Sequence, residues 1–414
     1  MRNGLHFVSA LAKIVLASIA ALPLVAGTVL AADQPTVSNK LAKPLKAAQD
    51  ALAAKNYDEA MQKIKEAQAQ PEKTPYDNWV INTFLLKAYA GKQDMANEVP
   101  IIETLAQSQY TTPDQKKLYL KTASQYYYQT KDYNKALEVA NEAVKAGAND
   151  GDVMGLIARS QYLTGKYKDA EATMQEIVGK MEKPDEDSLK LLWQFSDKAG
   201  DKAGASRAVE KLVAYYPKTE YWANALASLV NADTKDAHLQ LNVYRLMNDV
   251  GVLKRGIDYA DMAELALDQG YPGETQSVLQ KAFSENVFTE QRDKDRYQHL
   301  LDGAKQRAAT DQAALPKTEV DAANAPTGDR LVQVGAAYLS YGMNDKAMAA
   351  LQKGITKGNL KYPDEANLLL GIAQWRSHDA ADAQRSFEKV STSSNSGYAR
   401  LGKLWALHAG AKSA

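Results

Sequence analysis

The sequence predicts an all-α fold, a helix-turn-helix solenoid of about ten units. Three observations carry this. A short block, best seen in Thr164-Gly-Lys-Tyr-Lys-Asp-Ala170, returns along the chain as Lys55-Asn-Tyr-Asp-Glu-Ala60, Lys131-Asp-Tyr-Asn-Lys-Ala136, Gly342-Met-Asn-Asp-Lys-Ala347 and His378-Asp-Ala-Ala-Asp-Ala383. Glycines and prolines keep the same beat. Between them, apolar residues recur three and four positions apart, the period of one helical face.

The first residues read as an address. Arg2 and Lys13 precede an apolar run from Ile14 to Leu30 that ends Val29-Leu30-Ala31-Ala32. Val29 and Ala31 fit the −3 and −1 places of a signal-peptidase site, so residues 1–32 are expected to be a signal peptide rather than an anchor. Pro23, Gly27 and the many alanines suit a membrane span poorly. Loss of Arg2 and Lys13 from 50 Lys+Arg leaves 48 against 50 Asp+Glu, a net charge of −2. No second apolar run approaches a span. Periplasmic localisation follows as the expectation.

The repeats begin at once. Small residues align at Ala60, Ala96, Ala136, Ala170, Ala205, Thr275, Ala347 and Ala383, with spacings of 36, 40, 34, 35, 70, 72 and 36. Each long gap is close to two periods and hides a degenerate unit. Gly165, Gly200, Gly270 and Gly342 each stand five residues before the aligned small residue, where a left-handed residue turns one helix into the next. Pro75, Pro113, Pro184, Pro217 and Pro363 each precede an apolar-periodic segment, as Pro does at a helix start. Unit starts fall near 41, 77, 117, 151, 186, 218, 256, 290, 328 and 364. Small residues at the eighth and twentieth places of a unit let its two helices pack closely. Neither helix can bury its apolar face alone, so neighbours must stack.

The expected organisation is an N-terminal array over 33–315, degenerate near 218–255 and 290–315, then a linker or loop over 316–327. The Ala-rich stretch 304–327, with Pro316 and Pro326, shows no clear apolar stripe at its end. Residues 328–414 then form C-terminal units and a capping helix, with Leu401, Leu404, Trp405 and His408 on one side.

This pattern resembles the tetratricopeptide repeat (TPR) family. The best matches to its motif are Leu331, Gly335, Tyr338, Ala347 and Leu351, and Leu370, Gly371, Ala383 and Phe387. The resemblance covers about residues 39–390, with 218–255 and 290–320 departing most. It implies peptide binding on the concave groove formed by the first helices. Carried over by position, the groove residues are Lys121, Gln125 and Tyr128, then Arg159 and Tyr162, then Lys190 and Gln194. Cation, amide and phenol together suit the backbone and side chains of an extended peptide. Trp375 and Arg376 form a second patch. The Lys/Asn set that grips a chaperone's C-terminal carboxylate in some family members is missing, as Ala42, Leu45 and Gln49 show.

Chemistry is sparse elsewhere. A net charge near zero argues against a nucleic-acid partner, and the absence of Cys removes disulfides and thiolate chemistry. No HExxH, GxSxG, phosphate-binding or dinucleotide-binding glycine motif occurs, and no two His stand at metal-ligand spacing. Ala148-Asn-Asp-Gly-Asp152 has some calcium-loop flavour but reads better as an inter-repeat turn with Asp caps. The expectation is therefore no catalytic residue, no metal and no cofactor. The 22 Tyr against 6 Phe stand out, Tyr126-Tyr127-Tyr128 above all.

The function expected is that of a periplasmic scaffold or adaptor for other envelope proteins or extended peptides. Leu45-Lys-Ala-Ala-Gln-Asp through Ala60, Lys73-Thr-Pro-Tyr-Asp and Val80-Ile-Asn look like exported proteobacterial TPR proteins, some encoded beside TonB-type components. That resemblance implies an accessory role in TonB-linked outer-membrane transport. The alternative is a chaperone-like adaptor in outer-membrane or cell-wall assembly.

Overall fold

Local capping chemistry sets where the helices begin. Thr74 Oγ1 accepts a hydrogen bond from the Asp77 N–H (3.1 Å) while Asp77 Oδ2 accepts from the Thr74 N–H (2.9 Å), with Pro75 at the first helical position. Thr112, Pro113 and Gln115 repeat the arrangement. Asp150 Oδ1 accepts from the N–H groups of Asp152 (3.1 Å) and Val153 (3.2 Å), so the Asn149-Asp150-Gly151 turn is a helix cap. Asn56, Asp94, Asp132 and Asp379 cap second helices in the same manner.

The computed structural model describes residues 35–230 and 236–411; the expected signal peptide lies outside them. Twenty helices and no strand occur among the described residues. Seven pairs come first: α1 (Asn39–Ala53) with α2 (Tyr57–Gln68), α3 (Pro75–Lys92) with α4 (Met95–Ala106), α5 (Pro113–Gln129) with α6 (Tyr133–Lys145), α7 (Gly151–Leu163) with α8 (Tyr167–Gly179), α9 (Glu186–Ala199) with α10 (Lys202–Tyr215), α11 (Thr219–Val230) with α12 (Ala237–Asp249), and α13 (Gly256–Asp268) with α14 (Pro272–Ser284). A long helix, α15 (Gln291–Ala323), interrupts the pairing. Two more pairs follow, α16 (Asp329–Ser340) with α17 (Asn344–Lys357) and α18 (Pro363–Arg376) with α19 (Ala380–Ser391), before a last helix α20 (Ser396–Ala411). This is a TPR-type all-α repeat fold.

In eight of the nine pairs the turn has one shape. Gly165, Gly200, Gly270 and Gly342 all have positive φ, as expected, and Lys55, Gln93, Lys131 and His378 take the same left-handed place without being glycine. Each is followed by one residue and then the second helix. Counting five residues on from these turns gives Ala60, Ala136, Ala170, Ala205, Thr275, Ala347 and Ala383, but in the second pair it gives Glu98 and not Ala96. A carboxylate therefore occupies the slot of the small residue. Glu98 is 1% exposed, its Oε2 accepts no hydrogen bond, and burial with the nearby Asp94 pushes its carboxyl up to about 7.

Close helix approach is plain in the later pairs. A Cβ on Gly371 would lie 2.5 Å from the Phe387 ring, and one on Gly335 would lie 2.6 Å from Leu351. Both glycines hold the eighth place of their unit. Ala347, Leu351, Ala383 and Phe387 across from them are fully buried.

The expected linker over 316–327 is not one. Helix α15 continues through Pro316 to Ala323. Its buried stripe is Tyr297, Leu301, Ala304, Ala308, Leu315 and Ala322, spaced by fours, threes and sevens. The small alanines made this face hard to see in the sequence. Pro316 is exposed, and so is Gln312, whose carbonyl loses its helical partner, so water can satisfy the break. Helix α15 packs against both α14 and α16, which leaves no boundary there.

The chain instead divides near α9 into two compact units. The first runs to Pro184 and includes Gln194–Asp201; the second holds Asp185–Trp193 and Lys202–Ala414. The first has a continuous core from Leu86, Val99 and Ile102 through Leu120 and Ala140 to Ile157. In the second, Tyr221, Tyr259, Tyr338, Phe387 and Trp405 are its largest fully buried side chains, each contributing about 2–3 kcal/mol by burial.

Two outcomes are expected. Gly371→Ala forces Cβ into the Phe387 ring and should cost about 1–3 kcal/mol in chemical denaturation. Glu98→Ala restores the small residue. Because the folded carboxyl is raised, its contribution is full below about pH 4.5 and is lost as pH rises through about 7. The variant should therefore gain on the parent across that window, by about 1–2 kcal/mol after allowance for solvent screening. A gain that is flat between pH 4 and 8 in thermal melts contradicts the assignment.

Candidate functional site

The proposed groove residues lie on the first helices α5, α7 and α9, all but Lys190 in the first unit. Lys121 is engaged: its Nζ lies 3.1 Å from both carboxylate oxygens of Asp150 and from Asp152 Oδ2, tying α5 to the cap of α7. Tyr128 is half-buried, with its ring 5.5 Å from Tyr133. Burial raises its phenol, and the neighbouring Arg159 charge acts in the opposite direction. Arg159 is exposed and forms no ion pair among the described residues. Tyr162 stacks on Phe195 at 4.7 Å, and its hydroxyl accepts a hydrogen bond from Gln194 Nε2 at 3.0 Å. Gln125 Oε1 is buried and accepts no hydrogen bond.

The structure thus joins Tyr128 with Arg159 and Tyr162 with Gln194. It places Lys190 in the second unit, 3.0 Å from Glu186. Glu186 also accepts from Lys218 and from the Tyr221 hydroxyl, and with Lys190 they hold its carboxyl down to about 2.

The Tyr excess has a structural reason that spacing did not reveal. Tyrosine hydroxyls reach carboxylates at the edge of the core: Tyr127 to Glu103 (2.9 Å), Tyr259 to Glu285 (2.6 Å), Tyr338 to Glu319 (3.1 Å) and Tyr341 to Asp311 (2.7 Å). A phenylalanine fills the same space but cannot end at a polar rim.

The second unit holds a feature the sequence reading missed. Its late helices return to its early ones. Glu365 on α18 accepts from Asn242 Nδ2 of α12 at 3.1 Å and lies 2.9 Å from His238 Nδ1. The His238 imidazole rests 4.4 Å from the Tyr362 ring, and its pKa is raised by Glu365. Arg376 reaches Asp249 at 3.3 Å, and Arg400 on α20 reaches Glu210 of α10 at 2.8 Å. His408 meets Trp222, Trp375 and Trp405 edge-on at 5.9, 5.5 and 5.8 Å. Trp375 and Arg376 therefore take part in this closure. Helix α20 covers α19 as a cap and also packs on α10 and α12.

Helices α12 to α18 consequently form a closed ring. Behind its closure, Arg245 is 2% exposed and clamps Glu274 through two hydrogen bonds of 2.9 and 2.7 Å, with a third to Asn242 at 2.8 Å. The ring borders an open cavity of about 940 Å³, lined by α12, the α13–α14 turn, α15, α16 and α18. This lies within the size of small-ligand sites. Among the described residues, no group of His, Asp and Glu is placed to hold a metal, and no helix is long and apolar enough to cross a membrane.

Comparison with known proteins bears on the class. The family model described as anaphase-promoting complex, cyclosome, subunit 3 matches residues 92–177, from the end of α3 to α8, and supports a TPR-like family. No curated protein matches the chain. Among solved structures, the chain is similar to a tetratricopeptide repeat protein from Parabacteroides merdae, at 12% identity over 80% of this chain and 98% of that one, with a TM-score of 0.28. It is also similar to yeast Tom70, at 13% identity over 90% and 96%, with a TM-score of 0.22. A third is the APC/C hetero-tetramer Cut9–Hcn1, at 14% over 88% and 80%, TM-score 0.22. The helix pairs and their shared turn carry the fold.

The buried pair gives a test of the ring. Arg245→Met alone leaves Glu274 charged and unpaired, and should cost about 3–5 kcal/mol. Arg245→Met with Glu274→Met should recover most of that loss in urea unfolding. Equal losses in the single and double variants would show that the pair is not what fixes α12 against α14.

Proposed function

We propose that the chain is an exported scaffold of the periplasm, whose first unit holds an extended segment of another envelope protein. The observation that carries this is a pair on its first-helix face, an exposed Arg159 without an ion pair among the described residues beside a half-exposed Tyr128. Gln125 Oε1, on the same helix as Tyr128, is an acceptor without a donor. The guanidinium and phenol would hold the carbonyl and side-chain groups of a peptide. Lys121 is tied to Asp150 and Asp152, so it orders the neighbouring helices rather than meeting the guest.

Export rests on the N-terminal sequence, with Arg2 and Lys13 ahead of an apolar run and a small-residue cleavage site. An accessory role in TonB-linked transport is the specific pathway proposed, and it fails if the purified mature protein does not bind the TonB periplasmic domain.

Crosslinking and capture from the native envelope tests the scaffold itself. One partner in fixed ratio is expected. A spread of unrelated unfolded proteins would replace the scaffold with a chaperone-like adaptor. Substituting Tyr128, Arg159 and Tyr162 together by Ala should leave the circular dichroism spectrum unchanged and reduce capture by about tenfold or more, the loss of one or two charge-assisted contacts. Undiminished capture would move the site off this face.

A further inference from the structure

Helices α12 and α18 meet where the ring closes, and they are tied at both ends. At their starts, Glu365 reaches His238 and Asn242; at their ends, Arg376 reaches Asp249. His238 and Asp249 stand eleven residues apart, as do Glu365 and Arg376, about 16 Å along each helix. The two helices therefore run side by side in the same direction. Their ties differ in kind. A guanidinium and a carboxylate change charge far from neutral pH, whereas an imidazole changes charge within the physiological range.

The tie at the starts is short of positive charge. Glu365 is 4% exposed, in the first turn of α18. His238 Nδ1 is shut off from solvent, so a proton there points to Glu365 Oε2, 2.9 Å away. Arg245, the buried cation behind the seam, is committed to Glu274 by two hydrogen bonds and reaches Glu365 only through Asn242. With a neutral imidazole, the chain from His238 through Glu365, Asn242 and Arg245 to Glu274 holds two carboxylates against one cation. With an imidazolium its charges balance. A buried carboxylate without a matching charge is costly, and exposing it to water relieves the cost.

The other groups around the imidazole are mostly acidic. Asp236, the N-cap of α12, favours the proton, and Arg245 opposes it. On the α18 side, Lys361 lies 5.0 Å from the centre of the Tyr362 ring on which His238 rests, and Asp364 is held by Ser393 at 2.6 Å. From α20, the buried Tyr398 phenol stands near Glu365 and Asp236. The open cavity beside the seam adds Asp268, Asp311, Asp321 and Asp329, with Arg330 and the Tyr271 phenol. Glu365 is the leading cause that raises the imidazole above its ordinary 6.5. A raised imidazole contributes fully below that value, and the contribution is lost as pH climbs through the raised one.

We propose that this seam is a pH-operated latch. An imidazolium at His238 holds the starts of α12 and α18 together, and loss of its proton lets them part while Arg376 and Asp249 hold their ends as a hinge. His238, Tyr362 and Glu365 lie on the lining of the open cavity, so the cavity widens as the latch releases. The latch belongs to the second unit and does not depend on the Tyr128–Arg159 face.

Hydrogen exchange of the intact mature chain tests this, with rates corrected for the intrinsic pH dependence of amide exchange. Protection in the first halves of α12 and α18 should fall about fivefold or more between about pH 5.5 and 8.5, the difference between a charge-assisted and a neutral hydrogen bond. The last turns, at Asp249 and Arg376, should change little, as should the α16–α17 pair. His238→Gln keeps a neutral donor and should show the low protection of the parent's alkaline state at every pH. Equal falls in the parent and in His238→Gln overturn the proposal. So does a parent profile that is flat, or one whose fall is spread evenly over the second unit. The parent profile needs no substitution, so it decides the matter even where the variant fails to fold.

Discussion

Everything in this chain depends on how closely two short helices approach within a pair. A helix of 12–18 residues with one apolar stripe is marginal in water, and its stability comes from packing that stripe. The left-handed residue ahead of the second helix sets the turn, and the small residue five places later lets the backbones meet. Where Gly371 faces Phe387 there is no room for a methyl group. The pairs then stack, because each still has an unburied face. Capping residues such as Thr74, Thr112 and Asp150 decide where each helix starts, but the contact inside the pair decides that there is a fold.

Much of this was legible in the sequence because the constraint repeats. Glycines at 165, 200, 270 and 342 marked the turns, and the observed first helices begin close to the expected unit starts. The reading lost its register at one turn where a non-glycine residue takes the left-handed place. Gln93 gave no signal, so Ala96 was aligned in place of Glu98. The Ala-rich second half of α15 failed differently. Alanine buries little area, so a stripe of alanines looks like no stripe, and Pro316 looks like a break. An exposed Pro at a solvent-facing turn of helix is tolerated, and only packing shows it.

The sites were less legible than the fold, for a physical reason. Position in a repeat tells which residues share the first-helix face, and Tyr128, Arg159, Tyr162 and Gln194 do meet their neighbours there. Position does not tell which charges are already neutralised. Lys121 and Lys190 are bound to carboxylates, and only the three-dimensional arrangement reveals that. The ring was invisible altogether. His238 and Glu365 are far apart in sequence and belong to units with no special resemblance, so no period links them.

The closed ring also changes how the second unit can come into being. An open array can grow from either end, each new pair adding its own increment to what is already folded. A circuit whose last contacts join α20 and α18 to α10 and α12 has no such freedom. The entropy of bringing those ends together is paid in one step, after the intervening helices exist. Until the final helix has left the ribosome and any export channel, Glu210 and Trp222 have nothing to hold. Shape in this half of the protein is therefore a property of the finished chain, not of its growing parts.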